Sequence, residues 1–412
     1  MKKIYLLFLL VCFSIYGLSQ TWNLQNSGTI RNLSDVGFTD QLRGYAVGDE
    51  GTILYTSNGG QTWTFQNSTA VDVSCYGLSV TMAGTGNGKA VLCGENGKIF
   101  YAAFGTSNWQ QASTNVVARL NDIILHEWSA SSTTGYAVGE NGIVLKTTDD
   151  GVTWTKLTTF AYPTAYLTGV SAASDNDVVV AGDLGFSAVS DDGGLTWTLV
   201  QSVPYVYMKA IACFSSGRPG VTTYLGGSDG ALGTVVDNIF TPVNLGTNLG
   251  VMGLTFTGPS FGLGVGDLGF VTHYNGTDWV TQDTPTNEYL QNADGFAVPV
   301  DNTDDYTVYA WAVGLNGTII STVQNVISGI KDTNPFGKVT LSPNPATGQV
   351  HITGINNEQT FTFRVFDISG KLILGVKGNG LSMIDLTGIA PGIYVATITM
   401  GIYIAHQKLI IQ

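Results

Sequence analysis

The chain has 412 residues, 53 of them glycine, with only 11% charged side chains and a net charge of −13. Sparse, mainly acidic charge offers no basic stripe to a phosphate backbone, which excludes nucleic acid as a partner. No window fits apolar residues at i, i+3, i+4 and i+7 well, so the composition predicts an all-β chain of short strands and turns.

The first residues read MKKIYLLFLLVCFSIYGLSQ. Lys2 and Lys3 precede an uncharged apolar run, which ends at the small residues Gly17 and Ser19. This is the pattern of a secretory signal, expected over residues 1–19 with cleavage after Ser19. Val11 occupies the place where a lipoprotein signal needs a small residue, which disfavours Cys12 as a lipid anchor. No other stretch reaches about 18 uninterrupted apolar residues, so no integral membrane segment is expected after signal cleavage. Loss of the two lysines takes the net charge to −15.

A repeat then fills most of the chain. A Gly-x-x-Gly turn occurs at Gly48/Gly51, Gly94/Gly97, Gly139/Gly142, Gly182/Gly185, Gly227/Gly230, Gly266/Gly269 and Gly314/Gly317. The first glycines are 39 to 48 residues apart, the period of one four-stranded sheet per repeat. In the third copy the strands are expected at Leu120–Leu125, Tyr136–Val138, Ile143–Lys146 and from Trp154 onward. The glycines suit the positive φ that a two-residue hairpin turn requires.

The two ends of the repeat complement each other. Thr21–Thr29 (TWNLQNSGT) matches Thr62–Ala70 (TWTFQNSTA), so it reads as an outer strand with no sheet before it. The seventh copy ends near Ser321–Asn325 without an outer Trp strand. If the first strand completes the last copy, a ring closes and no long edge is exposed. The expectation is a seven-bladed β-propeller closed by the N-terminal strand. The fifth copy is the weakest, with TPVN at Thr241–Asn244 in place of the Trp strand.

Three copies carry a further motif: Thr56–Trp63 (TSNGGQTW), Thr147–Trp154 (TTDDGVTW) and Ser190–Trp197 (SDDGGLTW). These resemble the Asp-box, S/T-x-D-x-G-x-T-W, whose polar side chains bond the turn backbone while Trp packs between sheets. With the GYAVGxxG hairpins they make residues 21–325 similar to the photosystem II assembly and stability factor propellers, whose Asp-box (BNR) repeats are shared by sialidases. A secreted protein with this repeat need not share the plastid role.

The repeat stops near Ile330–Gly337, and the charge balance changes from 10 basic and 27 acidic side chains over 21–334 to 5 and 3 over 335–412. Strands are expected at Val339–Ser342, Val350–Ile352, Thr360–Asp367, Lys371–Val376, Ser382–Asp385, Gly392–Met400 and Ala405–Gln412, which suggests a small Ig-like β-sandwich. SPNPATG (Ser342–Gly348), VFDISGKLIL (Val365–Leu374), IDLTGIAPGIYVATI (Ile384–Ile398) and the terminal KLIIQ resemble the type A C-terminal sorting domain of type IX secretion cargo. The resemblance implies the type IX machinery and its C-terminal signal peptidase as partners. It also implies passage through the periplasm and outer membrane to a secreted or cell-surface product, released or attached to lipopolysaccharide. The expected layout is a signal over 1–19, a propeller over 20–327, a linker over 328–337 and a sorting domain over 338–412.

Catalytic patterns are scarce. Sialidases of this fold use an arginine cluster, a Tyr–Glu pair and an Asp acid. The propeller holds only Arg31, Arg43, Arg119 and Arg218, none within that family's arginine motif. His126 and His273 lack partners at metal-ligand spacing, no Gly-x-Ser-x-Gly elbow or Walker loop is present, and Asp149/Asp150 and Asp191/Asp192 fall inside Asp-boxes. No catalytic residue, metal or cofactor is expected. The function expected is non-enzymatic binding of a protein or glycan through the channel face; the alternative is a sialidase-like glycan-active enzyme.

Two rings are the binding candidates. Aligning the inner strands on Leu33, Val73, Leu120, Leu167, Met208, Val251 and Leu290 puts Asn32, Asp72, Arg119, Tyr166, Tyr207, Gly250 and Tyr289 before them, near one mouth of the axial channel. The second ring follows the first glycine of each turn: Asp49, Glu95, Glu140, Asp183 and Asp267, with Ser228 and Leu315 interrupting it. Turn-forming is the simpler role for these acids, and Glu140 is the member to test for function. Three cysteines follow the leader. Cys75 and Cys93 fall on neighbouring strands of one repeat, as either a disulfide or two small buried hydrophobes. Cys213 is expected free and buried.

Overall fold

A computed structural model describes residues 21–66, 70–81, 88–129, 132–215, 221–258, 261–300, 305–326, 340–353, 360–367, 371–379, 383–400 and 403–412. The leader, the 328–337 linker, Arg218 and the His126 side chain lie outside the described residues.

Among these residues, seven four-stranded antiparallel sheets follow one another from Asn23 to Val326. Their innermost strands are Leu33–Phe38, Cys75–Thr81, Leu120–Ser129, Leu167–Ala172, Met208–Ser215, Val251–Gly258 and Leu290–Pro299. The first six sheets run in sequence order from inside outward. In the seventh, Leu290–Pro299, Tyr306–Gly314 and Ile319–Val326 are followed by Asn23–Gln25 on the outside.

Strand alternation gives each sheet two apolar faces, and each face packs on a neighbour. In the second sheet Ala90 and Leu92 join Tyr45 and Ile53 of the first, whereas Val91 and Cys93 join Ile123 and Leu145 of the third. Seven such clusters link consecutive sheets, and one of them sets Trp311 and Val313 of the seventh against Leu33 and Leu54 of the first. Trp311 stacks on Phe38 with ring centroids 3.5 Å apart. The arrangement is a β-propeller.

The N-terminal strand is held on both sides. Trp22 Nε1 donates to Gln282 Oε1 of the sixth sheet at 2.7 Å. Gln25 accepts from Trp63 Nε1 of the first sheet at 3.0 Å and donates to Ser321 Oγ of the seventh at 2.7 Å. The Asp-boxes bond as their residue types suggest. Asp149 accepts from Thr153 N at 2.9 Å and Thr153 Oγ1 at 2.6 Å, Gly151 N donates to Thr147 Oγ1, and Trp154 Nε1 donates to Gly151 O. Asp192 and Thr196 repeat the same contacts.

Two corrections concern strands. In the fifth sheet the outer strand is Ile239–Pro242 rather than one at Thr241–Asn244, and it is reached by a tight turn at Asp237 and Asn238, both at positive φ. Buried Phe240 there takes the role that Trp plays elsewhere. The Cys75–Cys93 disulfide is not formed; both thiols and Cys213 are free and buried. Cys75 packs toward the first sheet and Cys93 toward the third, so the two side chains leave opposite faces of their sheet.

The C-terminal segment forms two sheets, Thr340–Ser342 with Gln349–Thr353 and Met383–Asp385, and Thr360–Phe366 with Leu372–Asn379, Gly392–Met400 and Tyr403–Ile411. They share one apolar core built from Val350, Ile352, Phe363, Val365, Ile384 and Ile398.

Candidate functional site: the mouth of the axial channel

The Gly-x-x-Gly turns position the mouth, and their two glycines act differently. The second, such as Gly142 at φ 61°, follows Asn141 at φ 58°, the consecutive positive values of a tight hairpin. The first, Gly139, is needed for close approach: a Cβ there would stand 2.0 Å from the Arg119 carbonyl oxygen.

That carbonyl also accepts the Glu140 N–H at 3.0 Å. The same bond joins Asp49 to Asn32, Asp183 to Tyr166, Ser228 to Tyr207, Asp267 to Gly250 and Leu315 to Tyr289. Both candidate rings therefore lie on one face. In the second sheet Glu95 N–H donates to Ser74 O, so Ser74 and Cys75 replace Asp72 and Val73 in the alignment. Asp72 is outside the ring and pairs with Lys98 Nζ at 2.6 Å, which holds its carboxyl below the usual range.

Every innermost strand carries a bulge just inside this ring, for example between Leu120 and Asp122 and between Met208 and Ala210. The extra residue breaks strand alternation. Tyr76, Asn121, Thr168, Lys209 and Met252 thereby line the channel one layer beneath the mouth, with Asp35, Asp122 and Asn292 beside them. The channel cavity measures about 310 Å³.

At the mouth the Arg119 guanidinium lies over the Tyr76 ring, 3.7 Å from its centroid. Tyr76 OH donates to Glu95 Oε1 at 3.0 Å. Burial pushes the Tyr207 hydroxyl up to about 12, with Tyr166 adding to the rise and Arg119 opposing it. Burial, then Asp267 and Tyr207, raise Tyr289. Arg119 stacks on Tyr76, and Tyr166, Tyr207 and Tyr289 occupy the equivalent ring positions of other sheets on the same face.

Most of the acids around it serve the fold. Asp49 accepts from Asn32 Nδ2 at 2.8 Å, Asp183 from Leu184 N at 2.8 Å and Asp267 from Gly250 N at 2.7 Å. Glu140 has no side-chain bond among the described residues. Arg31 and Arg43 pair with Glu50 and Asp40. His273 instead contacts Val280 O and Gln282, and burial holds its pKa down.

Sequence reasoning missed the deeper layer. Asp35 accepts from Val36 N and, across the sheet boundary, Leu78 N; Asp122 does the same with Ile123 and Val170, and Asp294 with Gly295 and Phe38. These carboxylates bridge adjacent innermost strands. Lys209 Nζ donates to Gln291 O at 2.8 Å and Gln291 Oε1 at 3.0 Å. Aspartate inside a strand is disfavoured, and that was the available signal. Among the described residues no three His, Cys, Asp or Glu side chains converge on a metal-sized site, and no helix is long and apolar enough to cross a membrane.

The fold and mouth define a β-propeller followed by a two-sheet C-terminal domain. Residues 340–412 match the model of the secretion system C-terminal sorting domain, and residues 16–88 match that of photosynthesis system II assembly factor YCF48. A photosystem II assembly lipoprotein Ycf48 from Synechococcus sp. (strain CC9902) is 24% identical over 202 residues, which is 48% of this chain and 59% of that relative. Solved structures of similar fold include YCF48 bound to D1 peptide, at 16% identity and TM-score 0.55, covering 76% of this chain and 99% of that one. Another is YCF48 from Cyanidioschyzon merolae, at 15% and 0.57, covering 73% and 98%. The WD40 propeller of Doa1 aligns at 11% identity and TM-score 0.53, covering 73% and 97%. The chain carries a photosystem II assembly factor-like propeller with a type IX secretion C-terminal sorting domain.

Proposed function

We propose that this is a secreted or cell-surface, non-enzymatic propeller that binds a protein or glycan partner through the channel mouth. In this reading residues 20–327 are a seven-bladed propeller closed by the N-terminal strand, 328–337 a linker, and 338–412 an Ig-like sorting domain read by the type IX machinery and its signal peptidase. The observation that carries it is Arg119 stacked on Tyr76, with Tyr166, Tyr207 and Tyr289 at equivalent ring positions on the same face. Aromatic faces and a guanidinium held over a ring are strong binding groups at concave surfaces. The similar YCF48 propeller has been solved with a peptide bound, which favours a peptide segment of a protein partner.

The test is a peptide and glycan array probed with the full chain and with Arg119→Ala and Tyr207→Ala. Specific binding that both variants lose supports the reading. Binding that neither alters removes the mouth as the site, and turnover of glycosides would restore the sialidase-like alternative.

A further inference from the structure

The tip of each hairpin on the mouth face rests on the loop that enters the next sheet. At the boundary of the fourth and fifth sheets, Gly185 N donates to Val206 O at 2.7 Å, and a Cβ at Gly185 would stand 3.3 Å from Tyr205 Cα. Leu184 at that tip is 56% exposed, and Tyr205 on the loop is 77% exposed. The corresponding residues are the one before the second glycine of each turn and the third before each innermost strand. At every other boundary at least one of the two is polar, as in Asn96 with Val117 and Leu268 with Asn287. Leu184 also stands at φ 56°, a left-handed conformation that disfavours leucine. Large apolar side chains left exposed together mark a docking surface.

Charge says what docks there. Along the ring the patch is flanked by Glu140 and Asp183 on the turns of the third and fourth sheets, and by Asp229 and Asp267 on those of the fifth and sixth. None of the four has an ion pair among the described residues. Arg31 and Lys98, on the same face, are already paired with Glu50 and Asp72, and Arg119 lies over Tyr76 at the inner ring. An acidic segment would be repelled by these turns, and a neutral glycan would leave the carboxylates unanswered. A segment with an apolar side chain between cations meets both features. Resting on the reading of this face as a binding surface, we propose that the turns of the third to sixth sheets dock a basic segment of a protein partner. Its apolar residue sits on Leu184 and Tyr205, and its Lys or Arg side chains face Asp183 on one side and Asp229 on the other.

The experiment measures affinity of the full chain for three capped heptapeptides, Gly-X-X-Leu-X-X-Gly with X as Lys, Gln or Glu, by calorimetric titration. The Lys peptide should bind about ten-fold more tightly than the Gln peptide, with the Glu peptide weakest, and the margin should shrink as salt is raised. Leu184→Asn, Tyr205→Ser and Asp183→Asn should each weaken the Lys peptide about five-fold. Asn already occupies the equivalent turn position at Asn96, Asn141 and Asn316, so Leu184→Asn does not disturb the fold. Asp278→Asn removes the same charge from the turn at the opposite end of the sixth sheet and should change nothing. The ranking is read on the unaltered protein, so it stands even where a variant does not fold. A Lys preference that Asp183→Asn and Asp278→Asn alter equally belongs to the charge of the whole chain and overturns the proposal. Equal or tighter binding of the Gln or Glu peptide, or no binding of the three while array hits still depend on Arg119, overturns it and leaves the mouth reading intact. No binding of any, with no array hit that depends on Arg119 or Tyr207, overturns both.

Discussion

The carboxylate of Asp294 accepts the backbone N–H of Phe38 at 2.7 Å, joining residues 256 positions apart across the boundary between the last and first sheets. Adjacent innermost strands share no continuous backbone ladder, so side chains must satisfy the N–H groups that face the boundary. Asp294→Ala leaves that N–H without its partner and should cost about 1–3 kcal/mol, read as a lower urea midpoint with an unchanged m-value. An unchanged midpoint would show that the apolar contacts and the Gln25 clasp hold the boundary without this bond.

The same carboxylates set a pH dependence. Burial pushes Asp35 up to about 8, with Asp122 adding to the rise, and pushes Asp122 and Asp294 to about 6. Their unfolded values lie near 3.8. The folded chain therefore binds more protons than the unfolded chain between about pH 4 and 8, and stability falls as pH rises through that window. Asp192 acts oppositely: bonds led by that from Thr196 hold it at about 2, so its contribution is lost as pH drops below about 4. Lys209, lowered by burial, acts oppositely as well: between its lowered folded value and 10.5 the unfolded chain holds the extra proton, so its contribution grows as pH rises. Stability should peak near pH ~4–5, and Asp35→Asn should flatten the decline above it. Chemical denaturation across pH 3 to 9 checks both.

How far the sequence could be read is clearest along this axis. The hairpin glycines, the Asp-boxes and the orphan strand at Trp22 each act locally, so their roles appear in the residues themselves. In the second sheet the sequence pattern points two positions early, to Asp72 and Val73 rather than Ser74 and Cys75, because apolar alternation continues through the preceding loop: Val71 and Val73 are buried too. Tyr76, Asn121 and Lys209 escaped notice because a bulge turns them inward, and a bulge leaves no mark on a period-two pattern. The free thiols follow from facing, which spacing along the chain does not reveal.

The hairpin turns offer a stabilising change. Leu184 and Leu268 stand at φ 56° and 52°, where Asn96, Asn141 and Asn316 occupy the equivalent turns. Leucine in this left-handed region costs roughly 1 kcal/mol, and both side chains are mostly exposed. Leu184→Asn and Leu268→Asn should each raise stability by about 0.5–1 kcal/mol, measured as an upward shift in Tm. A loss of stability would mean that the part of each leucine buried in the fold outweighs the backbone strain.

Trp22 should matter out of proportion to its place near the start of the chain. It is buried among Phe261, Leu263 and Ala310, and Trp22→Ala should cost about 3–5 kcal/mol. Ile319–Val326 then risks becoming an open edge, so the variant should also aggregate more readily. Light scattering during a thermal ramp would detect this, and a monodisperse melt would refute it.

The clasp formed by Gln25 between Trp63 and Ser321 has a temporal side. Its Ser321 contact spans 296 residues, and the sorting domain begins only after that contact has been encoded. A chain interrupted between Gln25 and Ser321 keeps the N-terminal half of the clasp but never makes its partner, and it also lacks the C-terminal sorting domain. The strand that carries Ser321 is therefore encoded before the sorting domain, so a product cut before Ser321 lacks both and one cut between the two lacks the sorting domain alone.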